Sequence, residues 1–248
     1  MSRGVVLITG ASAGLGEEMA RQFAALGYDL ALCARRTDRL TALAAELGGP
    51  GKPRVSVRRL DVTDDAAVFR VFGEFAAAFG RIDRVVVNAG LGKGAPLGSG
   101  RWDANRDTAM VNFVGALAQT EAALQIFRAQ QGGHLVLISS MSALRGMRKS
   151  MTTYAATKAG VAAIAEGVRS ERIRGVDVSV IYPGYIRSEM NAHVQQKTRF
   201  MVDTRTGVRA MVAAIEKRRA KAYVPAWPWA PIAVAMRVLP LSVVRRMV

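Results

Sequence analysis

Cysteine and histidine are almost missing from this chain of 248 residues: Cys33 is alone, and His134 and His193 are the only histidines. One thiol cannot close an internal disulfide, and three scattered ligands cannot build a Cys/His zinc site. No metal is therefore expected, and a reducing, cytoplasmic setting is. Acidic residues are also scarce, 19 Asp and Glu against 35 Lys and Arg, which leaves a formal net charge of +16. Such a balance points to anionic partners, whether nucleic acid, anionic lipid or a phosphorylated ligand. Yet 28 of the cations are Arg in a chain rich in Ala and Gly, a composition that a GC-rich genome produces without any partner. Long apolar runs are lacking as well. Nothing reaches the roughly 20 residues of a membrane-spanning helix, and the uncharged stretch 222–236 contains Pro225, Pro228 and Pro231. The apolar run after Arg3, Gly4 to Ile8, is too short for a signal peptide, so none is expected.

Half of the residues are apolar and 22% are charged, which excludes a disordered chain. At about 150 residues per domain the length allows one or two domains. Short β-branched runs alternate with longer Ala-rich segments, the pattern of a parallel sheet covered on both faces. Strands are expected near Val5–Thr9, Asp29–Ala34, Arg54–Leu60, Arg84–Asn88, His134–Ser139, Asp177–Tyr182 and Ala222–Val224. Helices are expected near 15–26, 37–47, 64–79, 103–130, 152–174 and 205–218. The fold class is thus α/β, a doubly wound parallel seven-stranded sheet in a single domain spanning 1–248, with ligands beyond the carboxyl ends of the strands. Gly90 to Gly100, with five glycines and Pro96, reads as a mobile loop. Residues 185–204 lack periodicity after a strand end and read as a lid.

Chemistry gathers at the expected strand ends. The first strand runs into Thr9-Gly10-Ala11-Ser12-Ala13-Gly14-Leu15-Gly16 and then a helix. Glycines at such a turn let backbone N–H groups and the helix dipole meet a pyrophosphate. The same letters match Gly-x-Ser-x-Gly, a nucleophile elbow that would make Ser12 a hydrolase nucleophile with His193 in order downstream. About twenty residues after Gly16, where an acidic residue would bind the ribose hydroxyls of NAD, stand Arg35 and Arg36. Guanidinium groups there favour a 2′-phosphate and hence NADP(H). Asp61 and Val62, after the third strand, offer a contact for an adenine amino group, and Asp61 is equally a helix cap. Asn88-Ala89-Gly90 ends the fourth strand with small residues that leave room for a cofactor. Ser140 closes the fifth strand, and Tyr154 and Lys158 lie four apart on one helix face. A nearby ammonium and a bound nicotinamide cation favour the phenolate of a tyrosine, so Tyr154 is read as a proton donor and acceptor, with Ser140 holding the substrate oxygen.

Thr9-Gly10-x3-Gly14-x-Gly16, Asn88-Ala89-Gly90, Asn112, Ser140, Tyr154-x3-Lys158 and Pro183-Gly184 occur together and in order, and in this the chain resembles the short-chain dehydrogenase/reductase family over nearly its whole length. The resemblance implies a Rossmann fold and a catalytic set of Tyr154, Lys158, Ser140 and Asn112. In it Lys158 also binds the nicotinamide ribose, and Asn112 holds a water that links Lys158 to solvent. It implies cofactor contacts from Gly10, Ser12, Gly14, Leu15, Gly16, Arg35, Arg36, Asp61, Val62, Asn88, Ala89, Gly90, Tyr154, Lys158, Pro183, Gly184, Ile186 and Ser188. Ser140 precedes Tyr154 by fourteen residues, one more than is common in the family, which leaves Ser142 as a rival. The expected function is an NADP-dependent oxidoreductase interconverting a carbonyl and a secondary alcohol, acting as a reductase on a hydrophobic ketone or ketoacyl compound, in a dimer or tetramer. A non-catalytic cofactor-sensing or nucleic-acid-binding protein on the same fold is the alternative. Residues 199–248 carry ten Lys or Arg against Asp203 and Glu216, beside Trp227, Trp229 and Ile232–Met236. That combination suits peripheral contact with an anionic membrane; the family resemblance implies instead that segment 225–248 completes the substrate pocket or packs against another subunit.

Overall fold

Seven strands pair in parallel because most are runs of Val, Ile and Leu that are apolar on both faces and find helices on both sides, whereas the edge strand that carries Arg58 and Arg59 is only partly buried. They form one sheet in which, counting along the chain, the order across it is third, second, first, fourth, fifth, sixth, seventh. The computed structural model describes residues 2–92, 94–189 and 200–247. Its strands are β1 (Val5–Thr9), β2 (Asp29–Ala34), β3 (Val55–Arg59), β4 (Arg84–Val87), β5 (Gly133–Ile138), β6 (Val176–Pro183) and β7 (Lys221–Val224). All seven lie where the sequence pattern puts them. Every position of β1, β4 and β5 is buried.

Side chains alternate between two apolar layers. Val5 and Leu7 of β1, Val85 and Val87 of β4, and Leu135 and Leu137 of β5 enter one layer. It also holds Phe72 and Phe75 of α3 (Asp65–Phe79), Phe127 of α5 (Gly115–Ala129) and Val161 of α6 (Met151–Ser170). Val6, Ile8, Val86, Val136 and Ile138 face the other layer. There they meet Phe23 of α1 (Gly14–Ala25), Leu40 of α2 (Thr37–Leu47) and Met211 of α7 (Thr204–Glu216). Each fully buried Phe contributes about 1.5–3 kcal/mol.

The helix expected over 103–130 is three pieces. α4 (Trp102–Ala109) passes into a π-helical turn at Met110–Val114 and then into α5. Hydrophobic spacing cannot reveal that turn, because it adds a single residue to one turn and leaves the apolar face continuous. The C-terminal helices α8 (Ala226–Val238) and α9 (Leu241–Met247) were not expected at all. Three prolines read as breakers there. Pro225 is in fact the N-cap, Trp227 is non-helical, and Pro228 opens the helix that begins after that kink, where no N–H donor is needed, with Pro231 inside the helix one turn further on. The 90–100 loop also differs from expectation. Ala95 is buried and its N–H donates to Asn105 Oδ1 at 3.1 Å, while a Cβ on Gly94 would come within 2.1 Å of the Ser150 carbonyl. This part of the loop is anchored.

Sheet order reverses between β1 and β4. Parallel neighbours leaving on opposite sides open a crevice at the carboxyl ends of these two strands, and ligands of doubly wound sheets bind there.

Candidate active site

A cavity of about 620 Å³ lies in this crevice. Its wall begins with Gly10, Ser12, Ala13, Gly14 and Leu15, the turn from β1 to α1. Gly10 and Gly14 have φ of +65° and +57°, a region that suits glycine. Gly16 is not part of the wall; a Cβ there would stand 2.3 Å from the Gly10 carbonyl, so its hydrogen lets α1 start close to the turn. The N-cap of α1 is Ala13, which has no side chain to cap the helix, and the first-turn N–H groups stand at the cavity without such an acceptor. Thr9, in the motif but not expected as a site residue, ties the strand ends together. Its hydroxyl accepts from the N–H groups of Asn88 and Ala89 at 3.0 and 3.1 Å, and Asn88 Nδ2 donates to the Thr9 carbonyl at 2.9 Å.

At the end of β2, Arg35 and Arg36 both line the cavity, as do Cys33 and Ala34. Arg36 Nε donates to Ser12 Oγ at 3.3 Å, and its two terminal nitrogens donate to Glu189 Oε2, each at 3.1 Å. Arg39 donates to the other oxygen of the same carboxylate. These guanidinium groups hold the Glu189 carboxyl below the usual carboxylate range. Neither Arg39 nor Glu189 was expected. Arg39 follows Arg36 by one helical turn, a spacing that could have revealed it; nothing in the sequence ties Glu189 to them. Asp61 does not line the cavity, although Leu60 and Val62 on either side do. Its carboxylate accepts from the Thr63 N–H and hydroxyl at 3.1 and 2.8 Å and stands 3.9 Å from Arg35. Asp61 thus caps the turn, while the helix cap is Asp64, whose side chain accepts the Ala67 N–H at 2.9 Å.

At the other end of the cavity, Ser139, Ser140, Tyr154 and Lys158 come together. Ser139 Oγ donates to the Lys158 carbonyl at 2.8 Å, which fastens α6 to the end of β5. Ser140 is extended and N-caps a 3₁₀ turn at Met141–Leu144; its Oγ accepts the Ser142 N–H at 3.1 Å and is hydrogen-bonded to Tyr154. Ser140, rather than Ser142, is brought to the tyrosine. Lys158 is 6% exposed and donates to the Ile138 carbonyl at 2.9 Å, with Nζ 6.0 Å from the centre of the Tyr154 ring. Burial lowers its pKa to about 8. Burial also pushes the Tyr154 phenol above the ordinary tyrosine range, and the Ser140 hydrogen bond offsets this only in part. Desolvation thus outweighs the hydrogen bond from Ser140, and the expected shift toward phenolate invokes a bound nicotinamide cation together with Lys158.

Asn112 sits in the π-turn behind the cavity wall. Its Oδ1 accepts the Leu91 N–H at 2.6 Å, and its Nδ2 donates to the Leu91 carbonyl at 2.8 Å. Its amide thus clamps the chain after Gly90. Pro183, Gly184, Ile186 and Ser188 complete the wall. A Cβ on Gly184 would collide with the Trp229 indole, and Ile186 pairs with Val202 in an isolated bridge. Positions 190–199 of the expected lid, His193 among them, lie outside the described residues. The hydrolase reading finds no base at Ser12 in the other histidine. His134 lies at the opposite end of β5, between Arg84 Nε (3.0 Å) and Ser179 Oγ (2.8 Å), and burial beside Arg84 keeps it neutral with a pKa of about 3. Among the described residues no group of acidic, His or Cys side chains could hold a metal ion.

A family model described as short chain dehydrogenase matches residues 4–199. The chain belongs to the short chain dehydrogenase family. An uncharacterized oxidoreductase of Mycobacterium tuberculosis is 52% identical to this short chain dehydrogenase over 248 residues, covering 99% of this chain and 98% of the relative. The 11-beta-hydroxysteroid dehydrogenase 1A of Arabidopsis thaliana is 36% identical over 188 residues, 75% of this chain and 53% of that protein. Among solved structures, an alcohol dehydrogenase of the archaeon Thermococcus sibiricus complexed with 5-hydroxy-NADP superposes with a TM-score of 0.79 at 27% identity. The match covers 89% of this chain and 94% of that one. A short chain dehydrogenase/reductase of Burkholderia phymatum in complex with NAD reaches 0.83 at 21% identity over 99% and 95% of the two chains, a likeness of fold.

Proposed function

We propose that this short chain dehydrogenase is NADP-dependent and interconverts a carbonyl and a secondary alcohol, acting as a reductase on a hydrophobic ketone or ketoacyl compound. The observation that carries the reading is the single cavity with a glycine turn and Arg35 and Arg36 at one end and Ser140, Tyr154 and Lys158 at the other. Its residues fit a dinucleotide phosphate. The uncapped first turn of α1 and the glycine backbone suit a pyrophosphate, the arginines suit a 2′-phosphate, and Pro183, Gly184, Ile186 and Ser188 suit the nicotinamide end.

When bound, the reduced cofactor supplies the hydride. Tyr154, kept protonated by burial, gives its proton to the carbonyl oxygen, and the Ser140 hydroxyl donates a hydrogen bond to that oxygen as charge develops on it. The Lys158 ammonium then stabilises the phenolate left on Tyr154, while Asn112 positions the Leu91 backbone beside them. The aromatic group of Tyr185, Phe200 and Trp229 next to Gly184 supports an apolar substrate. A screen of ketones, aldehydes and β-keto thioesters that follows NADPH loss tests this, together with NADPH and NADH binding by fluorescence. NADPH is expected to bind more tightly than NADH. Tyr154→Phe is expected to lose turnover by about 10²–10⁴-fold while holding cofactor as before. Equal or stronger NADH binding overturns the NADP assignment, and undiminished turnover in Tyr154→Phe overturns the mechanism.

A second reading concerns the C-terminal segment. α8 turns Trp229, Ala233 and Met236 into the core yet leaves Trp227 79% and Val238 73% exposed, with Val234, Leu241 and Val243 also at the surface. The same segment carries Arg237 and Arg245, and residues 199–248 carry half of the net charge. We propose that this face rests on an anionic membrane surface.

A further inference from the structure

One carboxylate on the protein occupies the arginines assigned above to the cofactor. Glu189 accepts from Arg36 through both terminal nitrogens, from Arg39 through its other oxygen, and lines the same cavity as Arg36 and Ser12. Arg36 is the N-cap of α2, and Arg39 follows in its first turn. The helix therefore delivers two guanidinium groups to one carboxylate that is hydrogen-bonded to both, with Asp38 and Glu17 acting on Arg39 only through longer-range attraction. That is an anion-binding site filled by an anion of the chain itself.

We propose that Glu189 is a specificity-determining residue, an internal surrogate for the 2′-phosphate of the cofactor. Resting on the NADP reading, this assigns Arg39 beside Arg36 as a second phosphate contact. Arg36 and Arg39 exchange the Glu189 carboxylate for the phosphate when NADP(H) binds, and keep the carboxylate when NAD(H) binds. Glu189 therefore competes with one cofactor and not with the other, and it narrows the preference of the protein for NADP(H). The three side chains are all about half exposed, which makes the competition modest and sensitive to salt.

The test is equilibrium binding of NADPH, NADH and adenosine 2′,5′-bisphosphate to the intact protein and to Glu189→Gln, Glu189→Ala, Arg39→Ala and Arg36→Ala. Both Glu189 variants are expected to bind NADPH and the bisphosphate about two- to fivefold more tightly, with NADH unchanged and the gain shrinking at high salt. Arg39→Ala is expected to weaken NADPH and the bisphosphate but not NADH. An unchanged NADPH-to-NADH ratio in both Glu189 variants, or weaker NADPH binding in both, overturns the proposal. Arg36→Ala separates this from failure of the NADP reading. If it weakens NADPH while the Glu189 variants gain nothing, only the surrogate role falls; if it leaves NADPH binding untouched and the native protein does not prefer NADPH, the cofactor assignment falls with it.

Discussion

Lys158 holds its ammonium in a buried place where the Ile138 carbonyl accepts a hydrogen bond, and desolvation lowers its pKa from 10.5 to about 8. Below pH 8 the folded and unfolded chains both carry the proton, and the full cost of burying the charge persists. Between pH 8 and 10.5 the unfolded chain keeps a proton that the folded chain has released, so this residue's contribution to stability becomes more favourable as pH rises. Urea melts of native protein and Lys158→Met across that window are expected to show the native chain gaining on the order of 3 kcal/mol relative to the variant. A difference that stays constant with pH would refute the lowered pKa. Tyr154, Lys158 and Ser140 could be singled out from spacing because four residues on a helix always share a face and a strand end always points to the same sheet edge. Their protonation could not, since it depends on how much water the surrounding elements exclude. Glu189 was invisible for a related reason: the chain between residues 36 and 189 has to fold before the two charges are neighbours.

The turn from β1 to α1 shows how an element's sequence encodes its geometry. Gly10 and Gly14 serve the backbone conformation, whereas Gly16 serves a contact, with the Gly10 carbonyl at 2.3 Å and Asn88 Nδ2 at 2.7 Å from where a Cβ would stand. Gly16→Ala is therefore expected to lower stability by about 1–3 kcal/mol, the usual range for overpacking, read as an earlier denaturant midpoint. An unchanged midpoint would mean that α1 can slide away from the turn at no cost. Strands and most helices were legible because their burial periodicity is local. The π-turn at Met110–Val114 was not, since it is defined by hydrogen-bond partners and not by the apolar pattern. α8 was hidden for a different reason: a proline breaks a helix interior yet is tolerated in its first turn, and only the kink at Trp227 decides which applies.

Over the whole molecule the excess of arginine divides into groups with distinct surroundings. Arg84 is buried at the amino end of the sheet, where it pairs with Glu216 at 2.6 Å, bonds His134 and lies over Phe23 and Tyr28. Glu216 also accepts from the Tyr28 hydroxyl at 3.0 Å, which ties α7 to the sheet. Arg35 and Arg36 line the cavity, Arg39 is bonded to the Glu189 carboxylate that lines it with them, and Arg237 lies over the Tyr223 ring. No helix among the described residues is long and apolar enough to cross a membrane. Flotation with anionic vesicles is expected at low salt, with release at high salt and loss in a Val234→Asp, Val238→Asp double variant. Failure of the native protein to float would dismiss membrane contact.

The sequence by itself determined the seven strands, their α/β alternation, the glycine turn, the basic end of β2 and the Ser140, Tyr154 and Lys158 constellation. Each is a local pattern or a spacing along one element. Only the tertiary structure decided that Tyr154 is pushed toward its protonated form, that the Asn112 amide clamps Leu91, that Asp61 caps a turn, and that Glu189 sits on the arginines. These properties arise from desolvation and from charges meeting across long sequence separations, and such interactions exist only after the chain has packed.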